Sequence, residues 1–105
     1  MATTRIIKEI SHFEYKELID KYENYIKVNP HANFRLDEAQ RKVYKDEYLV
    51  EILTKEHPIL IGIQENGRYA VFFRRKEGYL RIIFEVEPTK IEIGTFYITE
   101  ALPKV

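Results

Sequence analysis

The chain has no cysteine, a single methionine, no long apolar run and no net charge. Without cysteine there is neither a disulfide framework nor a thiolate metal site, which fits a reducing compartment. No window nears the roughly 18 uninterrupted apolar residues of a membrane span, so no membrane association is expected. The opening Met1-Ala2-Thr3-Thr4-Arg5 lacks the apolar core of an export signal, and the expected location is cytoplasmic. Seventeen basic residues balance seventeen acidic ones. That balance argues against long-range capture of nucleic acid by net charge, yet it leaves a local patch free to bind. There is no Gly-rich phosphate loop, no His-Glu-x-x-His and no Gly-x-Ser-x-Gly. The histidines His12, His31 and His57 lie far apart without metal-ligand spacing, so neither a metal nor any other cofactor is expected.

What remains is one domain of 105 residues, rich in Lys, Glu, Ile and Tyr in the manner of heat-adapted proteins. Ser11-His12-Phe13-Glu14 forms a capping box, and apolar residues then recur at Tyr15, Leu18, Ile19, Tyr22, Tyr25 and Ile26 near a 3.6 period. The spacing predicts a first helix from about His12 to Lys27, closed by Asn29-Pro30. A second stripe at Leu36, Ala39, Val43, Val50 and Leu53, with Asp37 and Asp46 as caps, predicts one helix or two short ones joined near Lys45-Asp46. His57-Pro58 ends it.

From Ile59 the period falls to two. Asn66-Gly67, Glu77-Gly78 and Pro88-Thr89 are turn signals between four apolar-rich runs. The expected fold is therefore α+β, with N-terminal helices (about 12–55) packed on one face of a four-stranded antiparallel β-meander (about 59–99). If Glu77-Gly78 is a two-residue turn, Tyr69, Val71 and Phe73 share the covered face with Leu80, Ile82, Phe84 and Val86. The opposite face then carries Arg68, Arg74, Arg81 and Glu85, with Phe72 and Ile83 among them. With Glu87 to Lys90 as the last turn, Thr95 and Tyr97 fall on the covered face, either as satisfied core positions or lining a cleft.

Two features point toward phosphate chemistry. Between Asn66 and Arg81 the chain holds Arg68, Arg74, Arg75, Lys76 and Arg81 against the single acid Glu77. A local basic cluster is what an RNA-binding surface needs, and it is also what a solvated hairpin looks like. Phe72, Tyr69 and Tyr79 near it are either base-stacking groups or cross-strand packing partners. His31 lies one helical turn before Arg35, with Arg41 beyond, which is either an acid–base group beside a phosphate clamp or a surface histidine in a loop.

His31-Ala32-x-x-Arg35, Arg41-x-Val43, Glu47, Leu53, Pro58 and the closing Thr95-x-Tyr97 resemble a small prokaryotic toxin-like domain family. That family is similar to the BrnT and RelE-type toxins of the barnase–EndoU–colicin–RelE group, and the resemblance spans about 31–99. It implies a metal-independent endoribonuclease that cleaves RNA by 2′-hydroxyl attack to a cyclic phosphate. It further implies His31, Arg35, Thr95 and Tyr97 as the active cluster, Arg68, Arg74, Arg75, Lys76 and Arg81 as RNA contacts, and an antitoxin partner. The neutral charge and the tyrosine-rich first helix depart from the family pattern; that helix is the expected surface for a homodimer. Two other readings stand beside the enzyme: a non-catalytic RNA- or protein-binding module, and a structural or oligomeric protein of a mobile element.

Overall fold

The computed structural model describes residues 4–32 and 38–103. The elements are β1 (Ile6–Glu9), α1 (His12–Lys21), β2 (Ile26–Val28), α2 (Glu38–Val43), α3 (Asp46–Lys55), β3 (Leu60–Gln64), β4 (Tyr69–Arg75), β5 (Gly78–Val86) and β6 (Ile91–Thr99). The α+β class stands, but the sheet has six strands rather than four, in the order β1-β3-β4-β5-β6-β2. Strands β3 to β6 pair antiparallel in sequence order, β1 joins β3 antiparallel, and β2 joins β6 in parallel.

Helix α1 begins as its capping residue dictates: Ser11 Oγ accepts the Glu14 N–H at 3.1 Å. It ends at Lys21, not Lys27. Tyr25, which continues the apolar spacing, is 58 % exposed, and Ile26 and Val28 instead alternate about Lys27 to pair with Ile91 and Ile93. Pro30, His31 and Ala32 form a turn. Asn29 Oδ1 accepts the His31 N–H at 2.9 Å, which closes a local side-chain turn. The predicted cap Asp37 lies outside the described residues.

The hairpin between β4 and β5 turns at Lys76-Glu77, because Arg75 pairs with Gly78. The pairing thus differs by one position on each strand from that of a Glu77-Gly78 turn, which leaves every side chain on its expected face. Val71 and Phe73 meet Ile82 and Leu80 beneath the helices. Gly78 has φ +145°, and a Cβ there would sit 2.5 Å from the Thr99 carbonyl oxygen. Glycine is required at that position.

The main core joins Tyr15 and Ile19 of α1 and Leu49, Ile52 and Leu53 of α3 to Val71, Phe73, Leu80, Ile82, Phe84 and Phe96 of the sheet. Each such fully buried side chain contributes about 1.5–3 kcal/mol through loss of water contact. A second, smaller cluster of Ile6, Ala70 and Phe72, flanked by Leu60 and Ile83, forms on the opposite face.

One irregularity decides where the last strand's side chains go. Ile83 pairs with Thr95 and Phe84 with Ile93, so Gly94 is the extra residue of a β-bulge. Beyond the bulge Phe96 and Ile98 face the core, while Thr95 and Tyr97 face away from the helices. The expectation that Thr95 and Tyr97 share the face of Leu80 and Ile82 is therefore corrected: one inserted residue inverts everything after it.

Candidate functional site

The face of the sheet that the helices leave open is organised in cross-strand rows. One row runs Tyr97, Arg81, Phe72 and Leu60. On one side lies Thr95, Ile83 and Ala70; on the other, Thr99, Tyr79 and Arg74. Lys27, Glu92, Glu85 and Arg68 border the face, two acids flanked by two bases, and Arg68 Nε meets Glu85 Oε2 at 3.7 Å.

Arg81 occupies the centre of that face and is only 4 % exposed. Its Nη2 donates to Gln64 Oε1 at 2.6 Å and to the Thr4 carbonyl at 3.1 Å, while its Nε is buried with no partner. Its guanidinium lies 5.1 Å from the Phe72 ring centroid and 5.9 Å from that of Tyr97. No carboxylate pairs with it among the described residues. Burial pulls its pKa below the ordinary arginine value, with the nearby Tyr97 opposing the change. A buried cation held only by neutral groups is unfavourable for folding, since desolvation is not repaid by an opposite charge. Such a group creates a positive potential over the strands around it.

The predicted basic cluster is split by strand alternation. Arg74 is exposed and stands 5.4 Å over the Tyr79 ring, and Arg68 is exposed beside Glu85. Lys76 is exposed in the hairpin turn. Arg75 points to the helix side and is bound by two 3.0 Å hydrogen bonds to Glu56 at the end of α3, where it acts as a structural clamp. Phe72 is fully buried, and Tyr69 is stacked on Phe84 at 5.2 Å, so neither is free to stack a base. Tyr79 and Tyr97 are half-buried on the open face, each with an arginine over its ring.

Of the predicted active cluster, Thr95 and Tyr97 are brought to the open face beside Arg81. His31 is exposed in the turn after β2, and Arg35 lies outside the described residues. The fold therefore joins Tyr97 to Arg81, a residue expected to contact RNA, and assembles no described contact between Tyr97 and His31. Spacing along the chain missed this because Gly94 inverts the strand; glycine inside a strand is the available signal for such a bulge.

A second assembly was not legible at all. His12 and His57 are stacked, with ring centroids 4.5 Å apart and planes within 9°. They line a groove of about 270 Å³ between α1 and the end of α3. The assumption that the three histidines are scattered is corrected for this pair: β1–β3 pairing carries the start of α1 to the start of β3, and Ile10 N–H donates to the Ile61 carbonyl at 2.8 Å. Among the described residues no three His, Cys, Asp or Glu side chains gather to hold a metal ion, and no helix is long and apolar enough to cross a membrane.

Comparison of the chain with protein-family models, with curated proteins and with solved structures gives no match.

Proposed function

We propose that the open face of the sheet binds single-stranded RNA, with Arg81, Arg74 and Arg68 supplying charge and Tyr79 and Tyr97 supplying rings on which bases stack. The observation that carries this reading is Arg81, a cation buried at the centre of the face without a carboxylate among the described residues. A phosphate is the natural counter-charge for such a group, and aromatic platforms beside arginine favour single strands over duplexes. The row of Lys27, Glu92, Glu85 and Arg68 bounds one end of the face, which directs a strand toward the Arg74 end. In this reading Arg75 is a fold residue, and Lys76 adds charge at the turn.

Fluorescence anisotropy with a labelled single-stranded RNA tests it. Three neutralised phosphates give a slope of log K against log salt near −2, from about −0.7 per contact. Arg74→Ala should flatten the slope by about 0.7, and Arg75→Ala should leave it unchanged. Salt-insensitive binding, or equal effects of the two changes, removes the open face as the site.

RNA cleavage of the toxin type is a second reading, favoured by the contact between two imidazoles from distant parts of the chain. Under it an antitoxin would cover the basic end of the open face. The 72 % exposed Phe13 of α1 would anchor a second copy.

A further inference from the structure

The start of the chain reaches the most buried cation of the open face. Thr4 and Arg5 lead into β1 at the edge of the sheet, whereas Arg81 stands on β5, three places further along the order β1-β3-β4-β5. The Arg81 side chain lies across the Phe72 ring toward that edge. There its guanidinium meets Gln64 of β3 and the Thr4 carbonyl.

Two contacts seat the segment. The Arg5 carbonyl accepts the Glu65 N–H at 2.9 Å, and Ile6 packs on Ala70 and Phe72. Ile6 comes so close to Gly62 that a Cβ there would lie 2.5 Å from its Cγ2, so glycine at that position lets β1 settle. Thr4 lies just beyond both contacts. It can swing away from Arg81 while β1 stays paired with β3.

The bonding at Arg81 makes such an exchange favourable. Nε and Nη2 lie along one edge of a guanidinium, and together they can grip an oxyanion with two parallel hydrogen bonds. Here Nη2 donates to two neutral oxygens, and Nε is buried with no partner among the described residues. Gln64 is only 1 % exposed, and it donates onward to Asn66, so its oxygen is a fixed acceptor. Thr4 is half-buried and outside the strand, so its carbonyl is the acceptor that can be replaced. An oxyanion in its place would bond Nε as well as Nη2. It would also bring the negative charge that a carbonyl does not.

We propose that the Thr4 carbonyl is a built-in competitor for Arg81: the segment Thr4–Ile6 closes an oxyanion seat at the centre of the open face, and a phosphate group enters by displacing Thr4. The proposal rests on the open face as the anion-binding surface argued above, and it adds the contact that regulates that surface. Arg68 and Arg74 are exposed and meet a phosphate first. Arg81 engages only after Thr4 has left. The two occupants exclude each other, so an anion loosens the start of the chain, and a loosened start favours the anion by the same factor.

Arg5 supplies the test, because trypsin cuts after arginine and the bond to Ile6 is shielded while the segment is seated. The intact protein is digested briefly with trypsin at rising inorganic pyrophosphate, with chloride adjusted to hold ionic strength constant. Mass spectrometry follows the cut after Arg5 relative to the cut after Lys45, which is exposed between α2 and α3. Loss of a hydrogen bond from a charged donor shifts a local opening about 10- to 100-fold. Pyrophosphate should speed the Arg5 cut by that factor relative to Lys45. Arg81→Met should give the fast Arg5 cut without pyrophosphate and gain nothing further from it. An Arg5 cut in wild type that ignores pyrophosphate overturns the proposal, and so does an Arg81→Met chain cut no faster than wild type. Adding single-stranded RNA separates this proposal from the reading it rests on. RNA that binds while neither it nor pyrophosphate speeds the Arg5 cut overturns the competition and leaves the open face standing. Pyrophosphate that frees Arg5 in a protein without RNA affinity keeps the competition and refutes RNA as the occupant.

Discussion

Replacing Arg81 and Gln64 together should make the protein more stable and a poorer RNA binder. The Arg81 guanidinium is 4 % exposed and held by neutral acceptors, so its transfer from water is uncompensated by charge. Substituting a buried charge by an apolar side chain of similar length commonly gains about 1–4 kcal/mol. Arg81→Met alone forfeits much of that gain. It strands Gln64 Oε1 in a residue only 1 % exposed, at a cost of about 1–3 kcal/mol. Gln64→Leu removes the stranded oxygen and gives up only the 3.2 Å bond from Gln64 Nε2 to Asn66. The Arg81→Met/Gln64→Leu variant should therefore gain roughly 1–2 kcal/mol, while the single Arg81→Met change stays near zero. At about 4–8 °C per kcal/mol for a domain of this size, the melting temperature should rise by roughly 4–16 °C. Urea titration gives the free energy, and its slope shows that both variants unfold in the same manner. A double variant that is less stable than wild type by about 2 kcal/mol would make Arg81 a structural fastener and take away the observation on which RNA binding rests.

Other perturbations probe the fold around both sites. Deleting Gly94 removes the extra residue and leaves Ile93, Thr95 and Phe96 opposite Phe84, Ile83 and Ile82 in regular alternation, so Phe96 (1 % exposed) keeps its place in the core and thermal unfolding should stay cooperative. Tyr15 donates to the Leu53 carbonyl at 2.8 Å, and burial raises its pKa far above the usual tyrosine range. A raised folded pKa contributes stability that is complete below the unfolded value of about 10 and is lost as pH rises past it. Wild type should accordingly weaken more steeply above about pH 10 than Tyr15→Phe, as read by urea midpoints across that range. The same Tyr15→Phe change should cost about 1–2 kcal/mol at neutral pH, since it leaves the Leu53 carbonyl without its donor.

Local signals in the sequence were sufficient where structure is local. Ser11 caps α1 as its spacing to Glu14 predicts, and the Lys45-Asp46 junction does separate two helices. The covered face survived a misplaced turn because the error moved each strand by one position, and alternation is insensitive to that. The edge strands were illegible for a different reason. Ile26-Lys27-Val28 is three residues whose partner, Ile91-Glu92-Ile93, is most of the chain away, and Tyr22, Tyr25 and Ile26 mimic a continuing helical stripe. Burial of Arg81 and the stacking of His12 on His57 depend on β1 reaching β3, which no spacing encodes. The bulge was the exception, since Gly94 stood in plain view inside a strand.

The two outermost strands of the sheet, β1 and β2, both come from residues 6–28, whereas the four strands between them come from residues 60–99. One continuous stretch therefore guards both flanks of the sheet, covering the outer edge of β3 and the Ile91–Ile93 end of β6. The guards are short, four and three residues, and β1 is further broken by a bulge, which limits their own capacity to recruit a neighbour. Proteolytic clipping that releases residues up to Val28 would uncover β3 and β6 at the same moment. A chain so clipped is expected to assemble edge to edge into fibrils, with the five residues of β3 and the nine of β6 as the adhesive borders.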